Sequence, residues 1–277
     1  MEIHQSPLFA TFTKNLGWNV IRINETNIFL RKIIFMGTIA KIQRPKTLIN
    51  PTILVPLLKK HNIKKLVLEA TKETSQHDFT HWVNILKKDF SIDTSLYLPT
   101  KTSVIDITKS EQTIFNSFSS AKRRAVRRAQ KNNLQIQQST DINELITIKN
   151  RSSGLFGFIT TSGLKKKWFV FYPSDKATIF LAYTDKKMLL GGIYMSFWDD
   201  TAYYWVAGSV KQGKKLFAPT LLIWEAMKEA KKRGYKRFDF VGIWDERLPK
   251  QNNNWKGFTK FKEGFGGKPV YYPIHKT

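Results

Sequence analysis

From residue 51 onward the chain alternates short helical and extended patterns. Residues 51 to 61 predict a helix opened by Pro51, whose fixed φ suits a first helical position, and Asn62 leads into the strand Lys65-Leu66-Val67-Leu68-Glu69. A second helix is predicted over residues 77 to 90, ahead of an apolar segment near 94 to 98. This alternation reads as an α/β protein. The stretch Pro99-Thr100-Lys101-Thr102-Ser103 joins a helix breaker to small polar residues, which predicts a boundary between a first unit at 1–99 and a second at 100–277. No internal repeat is legible.

In the second unit, Val104-Ile105-Asp106-Ile107 reads as a strand end. A helix follows from about 111 to 131, entered through Thr108-Lys109-Ser110-Glu111 at capping-box spacing. At ~100° per residue, Ile114, Phe118, Ala121, Ala125 and Ala129 form one stripe, with Arg123, Arg124, Arg127, Arg128 and Lys131 on the opposite arc. Such a run is often a solvated face. Five like charges on one arc nevertheless repel unless an anion meets them, and guanidinium groups offer planar, bidentate donors to phosphate. A further helix from Pro219 to Arg233 turns Leu222, Ile223, Ala226, Met227 and Ala230 inward and stops at Gly234, suited to a left-handed cap. It feeds an extended segment from Phe238 to Ile243.

Charge sharpens this picture. The 277 residues hold 46 Lys and Arg against 21 Asp and Glu, a formal charge of +25, which favours polyanionic partners such as RNA, nucleotide-linked substrates or anionic headgroups. The absence of cysteine excludes thiolate nucleophiles, disulfides and Cys-ligated zinc. Met1-Glu2-Ile3-His4-Gln5-Ser6-Pro7 lacks the pattern of a secretory signal, and the apolar run around Ile33-Ile34-Phe35-Met36 is far below the ~20 residues that span a bilayer. A cytoplasmic protein is expected, with contact at the inner face of the cell membrane as an extension of that expectation.

The candidate chemistry lies near the C-terminus. Gly257-Phe258-Thr259-Lys260-Phe261-Lys262-Glu263-Gly264-Phe265-Gly266-Gly267 sets Lys262 between aromatics and beside glycines that permit sharp bends and close approach. A fixed ammonium there suits a developing oxyanion or a phosphate. The alternative is a terminal hairpin whose Phe258, Phe261 and Phe265 are simply core. Two other motifs are discounted. Gly208-Ser209-Val210-Lys211-Gln212-Gly213-Lys214-Lys215 nearly spells a P-loop but places Lys215 where a magnesium-binding hydroxyl belongs. His77-Asp78-Phe79-Thr80-His81 imitates a zinc-protease helix, yet Asp replaces Glu and no third ligand is evident, so two surface histidines are expected and no metal.

Several segments together resemble the Fem-type peptidyltransferases, the FemABX family. Tyr235-Lys236-Arg237-Phe238-Asp239-Phe240-Val241-Gly242-Ile243 is similar to that family's G-Y-x-x-Y-D-F-x-G-I strand, and the Lys262 run to its G-L-x-x-F-K-x-x-F-G-G. Ser120 to Lys131 resembles its basic helix. Tyr203-Tyr204-Trp205-Val206-Ala207-Gly208-Ser209 resembles its aromatic strand and Gly-Ser turn. The resemblance runs over roughly residues 100 to 272 and is faint before that, where Arg44-Pro45 lacks the family's glycine.

The resemblance implies two halves like acyl-CoA N-acyltransferases (GNAT-like) with mixed sheets, the first shortened. The long helical arm of some members is missing, since only ten residues separate Ser209 from Thr220. It implies a monomeric aminoacyltransferase of cell-wall bridge synthesis. The donor would be an aminoacyl-tRNA and the acceptor the stem peptide of a peptidoglycan precursor, UDP-MurNAc-peptide or lipid II, with no cofactor. By the motif match, Lys262 would neutralise the oxyanion and the leaving ribose oxygen, and the Phe261 carbonyl would orient the attacking amine. Lys14 and Lys167 would hold precursor phosphates. Tyr203 and Tyr204 correspond to substrate-facing tyrosines, or else to a buried aromatic strand. The arginine-rich helix, Arg123, Arg124, Arg127, Arg128 and Lys131, would meet tRNA or phosphate. Lys215-Leu216-Phe217-Ala218-Pro219-Thr220 lacks the glycines with which GNAT enzymes cradle the pyrophosphate of acyl-CoA, and Pro219 removes an amide donor. Two other readings stay open: an N-acyltransferase using another amine and a non-standard acyl donor, and a non-catalytic protein binding RNA or a membrane surface.

Overall fold

The computed structural model describes residues 1–35, 37–154, 159 and 161–275, so Met36 of the apolar run lies outside the described residues. The chain divides into two compact units, Met1–Lys101 with Val270–Thr277, and Thr102–Pro269. The last residues, grouped with the second unit on sequence grounds, cluster with the first. Local bonds explain this: Tyr272 N–H donates to Thr100 O (2.9 Å), and Ile274 exchanges two bonds with the Gln76 amide at 2.8 and 3.0 Å.

The first unit is a five-stranded mixed sheet in the order β1-β2-β3-β4-β5, with β1 (Asn19–Ile23), β2 (Thr26–Ile33), β3 (Gly37–Gln43), β4 (Ile63–Glu69) and β5 (Ser91–Asp93). The first three strands are antiparallel and the last two pair in parallel. Parallel neighbours need crossovers, which α2 (Pro51–Lys60) and α3 (Gln76–Leu86) supply. Leu54, Leu58, Phe79, Trp82 and Leu86 of these helices bury against Ile28, Leu30, Ile42, Leu66 and Leu68. α1 (Pro7–Asn15) opens with Ser6 capping Phe9 N–H and Pro7 in the first turn.

The second unit is a seven-stranded mixed sheet, ordered β12-β6-β11-β10-β9-β8-β7. Its strands are β6 (Lys101–Asp106), β7 (Gln135–Ser139), β8 (Ala177–Tyr183), β9 (Leu189–Trp198), β10 (Thr201–Ser209), β11 (Arg237–Asp239) and β12 (Lys268–Tyr271). Its helices are α4 (Glu111–Ser117), α5 (Ser120–Lys131), α6 (Ile142–Ser153), α7 (Leu164–Phe171), α8 (Lys211–Lys215), α9 (Ala218–Lys232) and α10 (Lys256–Glu263). The fold is thus mixed α/β with two mixed sheets. Only α8 stands between β10 and α9, where a helical arm would be inserted. Among the described residues, no helix is long and apolar enough to cross a membrane.

The structure differs from expectation at several elements: the helix expected over 77 to 90 ends at Leu86, and the extended segment expected to Ile243 pairs only over Arg237–Asp239. The helix expected over 111 to 131 breaks at Phe118-Ser119, where Phe118 turns extended (φ −67°, ψ 147°). Ser119 caps α5 by accepting from Lys122 N–H, and its own N–H donates to Gly264 O (2.9 Å), so the break serves a tertiary contact. The Lys262 run is no hairpin: it forms α10, which ends at Gly264.

Candidate active site

β10 and β11 run parallel but pair only from Thr201–Arg237 to Tyr203–Asp239. On β10 the register with β9 shifts between Tyr204 and Val206, so Trp205 is a bulged residue that re-aims the strand. On the other side β11 stops because Val241 (φ 52°) and Gly242 (φ 111°) turn the backbone away. Thr102 and Asp239 hold this turn. The Thr102 hydroxyl donates to Asp239 Oδ1, which also accepts from Val241 N–H (2.7 Å), while Gly242 N–H donates to Thr102 Oγ1 (3.1 Å).

Beyond that turn the side chain of Lys262 enters. Its Nζ donates to the carbonyls of Phe240 (2.8 Å) and Gly242 (2.7 Å) and stands 4.8 Å from the centre of the Phe258 ring and 5.8 Å from that of Tyr204. Burial lowers its pKa to about 8 against the opposing charge of Asp239. The aromatics expected around the lysine are therefore present, though unequally buried. Phe265 is fully buried and touches Phe118 (5.1 Å) and Phe240 (5.5 Å), whereas Phe258 keeps 37% of its surface.

The glycines of the run serve close packing of the chain on itself. A Cβ on Gly266 (φ +76°) would stand 2.3 Å from Ser117 O, and one on Gly267 would stand 2.3 Å from Ser103 Oγ. α10 is thereby clamped to the break between α4 and α5. At its C-terminal end, Phe265 N–H donates to Lys262 O (3.1 Å), whereas a continuing helix would direct it to Phe261 O.

A cavity of about 650 Å³ opens beside this arrangement. α5 contributes Lys122 and Ala125, α6 Lys149, β10 Tyr204 and Gly208, and α10 Phe261. Gly208 lets α6 close in, since a Cβ there would lie 2.6 Å from Lys149 Cα. Lys149 has its pKa lowered by burial and by the neighbouring Lys214, which lines the same space. Volume and apolar walls with few charged groups suit a small-molecule-sized portion of a substrate. Lys262 does not line the cavity.

The remaining sequence-derived residues scatter more widely. Tyr203 and Tyr204 are both buried, Tyr204 also lines the cavity, and burial raises its hydroxyl pKa. Arg124, Arg127, Arg128 and Lys131 are exposed along α5, but Arg123 folds back to donate to the carbonyls of Asn116 and Phe118. Lys14 is exposed in the last turn of α1, in the first unit. Lys167, expected to grip a phosphate, is 1% exposed with its ammonium over the Trp205 indole (2.8 Å to the ring centre) and near Phe171 and Tyr194. Its pKa falls well below the usual lysine range through burial. Periodicity carried that signal: Leu164, Trp168 and Phe171 mark the buried face of α7, and Lys167 sits on it while Lys165 and Lys166 do not. Lys122, Thr102 and Asp239 were not anticipated as site residues. His77 and His81 lie exposed and stacked, 6.5 Å apart, and among the described residues no cluster of acidic or histidine side chains could hold a metal ion.

These elements, from the bulged strand through the Lys262 helix, coincide with a family signature. Residues 174–272 match the FemAB family. The resemblance read from the motifs is borne out over this FemAB stretch. The fold extends the likeness to nearly the whole chain. A crystal structure of FemX superimposes with a TM-score of 0.77 at 16% identity, covering 98% of this chain and 90% of that one. L-PGS from Bacillus licheniformis follows at 0.59 and 12% identity, covering 98% and 92%. A tandem GNAT protein from the clavulanic acid biosynthesis pathway reaches 0.52 at 10% identity, covering 91% and 79%. No curated protein sequence matches the chain. The chain thus shares its fold with FemX, and the FemAB match lies within its second unit and the start of the returning tail.

Proposed function

We propose that the protein is an aminoacyltransferase that takes an amino acid from aminoacyl-tRNA and joins it to an amino group on the stem peptide of a peptidoglycan precursor, soluble or lipid-linked. The carrying observation is that the FemAB match includes the segment that seats Lys262 between the carbonyls of Phe240 and Gly242, next to a cavity of substrate size. An aminoacyl ester is already activated. The protein therefore has to position the two substrates and stabilise charge. The amine attacks the ester carbonyl, a tetrahedral oxyanion forms, and the ribose oxygen leaves. Two N–H groups of the Lys262 ammonium are held by backbone carbonyls, which leaves one for that oxygen. The Phe261 carbonyl, in the last turn of α10, orients the attacking amine. The exposed arginines of α5 supply a phosphate-binding face for the tRNA.

The test is incubation with mixed charged tRNA and UDP-linked precursor, followed by mass analysis of the products. The expected result is a gain of one amino-acid residue that ribonuclease abolishes. Transfer that survives ribonuclease would point to another acyl donor, and RNA binding without transfer to a non-catalytic role. Lys262→Ala is expected to lower turnover by ~10²-fold or more, the usual loss for one oxyanion donor.

A further inference from the structure

Lys122 stands apart from the other cations of α5. Its ammonium lies over the Phe261 ring, 3.5 Å from the centre, and 5.2 Å from that of Phe265. Its stem passes directly over Gly264, where a Cβ would stand 2.8 Å from Lys122 Cε and 3.0 Å from Cγ. Gly264 has an ordinary helical φ of −59°, so glycine is not required there by the backbone. What it supplies is a seat for this side chain. Among the described residues no carboxylate offsets the burial of Lys122, and it lines the cavity that Lys262 does not line. The structure thus holds two lysines around Phe261, one tied to backbone carbonyls and one presented to the cavity.

We propose that Lys122 is a second catalytic lysine, whose neutral amine accepts the proton of the attacking ammonium and whose ammonium then protonates the departing ribose oxygen. This rests on the transferase reading above. The step balances: the substrate ammonium gives one proton to Lys122, its nitrogen bonds the ester carbon, and the carbon–oxygen bond breaks. Lys122 returns its proton to the ribose oxygen, and the second proton of the new amide nitrogen passes to water. Burial lowers the Lys122 pKa to about 8, which keeps a fraction of it neutral near physiological pH. The titratable and charged groups around it are Lys149, Lys214 and Tyr204 in the cavity wall, Lys262 and Glu263 on α10, and Arg123 on its own helix. Burial favours the neutral amine of Lys122, and Tyr204 stays protonated because burial raises its pKa.

The experiment compares wild type, Lys122→Met, Lys122→Arg and Gly264→Ala in the precursor assay across pH 6.5 to 9.5 (roughly the span around the expected midpoint). Wild-type kcat/KM is expected to fall above about pH 8 as Lys262 loses its charge, and to rise below that on a limb that follows Lys122. Lys122→Met and Lys122→Arg are both expected to lose ~10²-fold or more and that limb with it, because arginine keeps the charge but cannot release a proton. Gly264→Ala, which displaces a flexible side chain, is expected to lower kcat while its thermal unfolding stays near wild type. Wild-type activity and pH profile in Lys122→Arg would overturn the proton-transfer role, as would a loss below threefold in a folded Lys122→Met. Absence of transfer by the wild type would instead overturn the function on which this role rests.

Discussion

Gly266→Ala should destabilise the second unit by an amount that the geometry lets one divide into two parts. The first is backbone strain: Gly266 sits at φ +76°, where a residue with a Cβ costs about 1–2 kcal/mol. The second is steric. The new Cβ would lie 2.3 Å from Ser117 O and 2.9 Å from its carbonyl carbon, and because the obstacle is backbone it cannot rotate aside. Overpacking of this kind costs about 1–3 kcal/mol, for a total of about 2–5. Gly234→Ala supplies the control. It has φ +83° with nothing within 4 Å of its Cβ, so it should lose only the strain portion. Urea unfolding of both variants, followed by tryptophan fluorescence, measures the difference. If Gly266→Ala loses no more than Gly234→Ala, the reading of the glycine bend as a backbone-to-backbone clamp is wrong.

Three further outcomes can be checked. Lys122 and Lys262 are lowered from 10.5 to about 8, so between those values the unfolded chain binds protons that the native protein does not, and stability should rise as pH climbs from about 8; urea midpoints at pH 7.5 and 9.5 (values chosen on either side of about 8) test this, and Lys262→Met should flatten the rise. Replacing Arg124, Arg127 or Arg128 with Gln should each reduce the slope of log affinity for tRNA against log salt by about 0.7–0.9 if that residue meets a phosphate. Arg123→Gln should instead lower stability by about 1–3 kcal/mol with little change in that slope, since its guanidinium is engaged by the carbonyls of Asn116 and Phe118.

How much of this was legible in the sequence depends on whether tertiary contacts followed local pattern. Pro51 to Glu69 and Ala218 to Gly234 read correctly because caps, apolar spacing and punctuation all agree there. The first fifty residues were silent because β2 buries Thr26 to Leu30 consecutively, polar Asn27 included. Gln5 Oε1 and the carbonyls of His4 and Ser6 receive the Asn27 backbone and side-chain N–H groups, and Arg22 donates to its Oδ1 (2.6 Å), which makes that burial tolerable. The break at Ser119 was hidden because Phe118 falls in phase with the helical stripe. The Lys262 run was legible as a candidate site but not as a helix, since its glycines signalled a turn and in fact permit close approach. Lys122 could not be separated from its neighbours by sequence, because what distinguishes it is the Phe261 ring and the missing Cβ of Gly264.

The return of the last residues to the first unit means that the covalent chain crosses the boundary twice, at Lys101–Thr102 and at Pro269–Val270. The smaller unit is therefore not an excisable cassette. A truncation ending near residue 101 would strip Arg44 of the Tyr272 ring that lies 3.6 Å from its guanidinium and Gln76 of its two bonds to Ile274. Engineers who graft or delete that half must carry the tail with it, most simply as a circular permutant that brings both ends together.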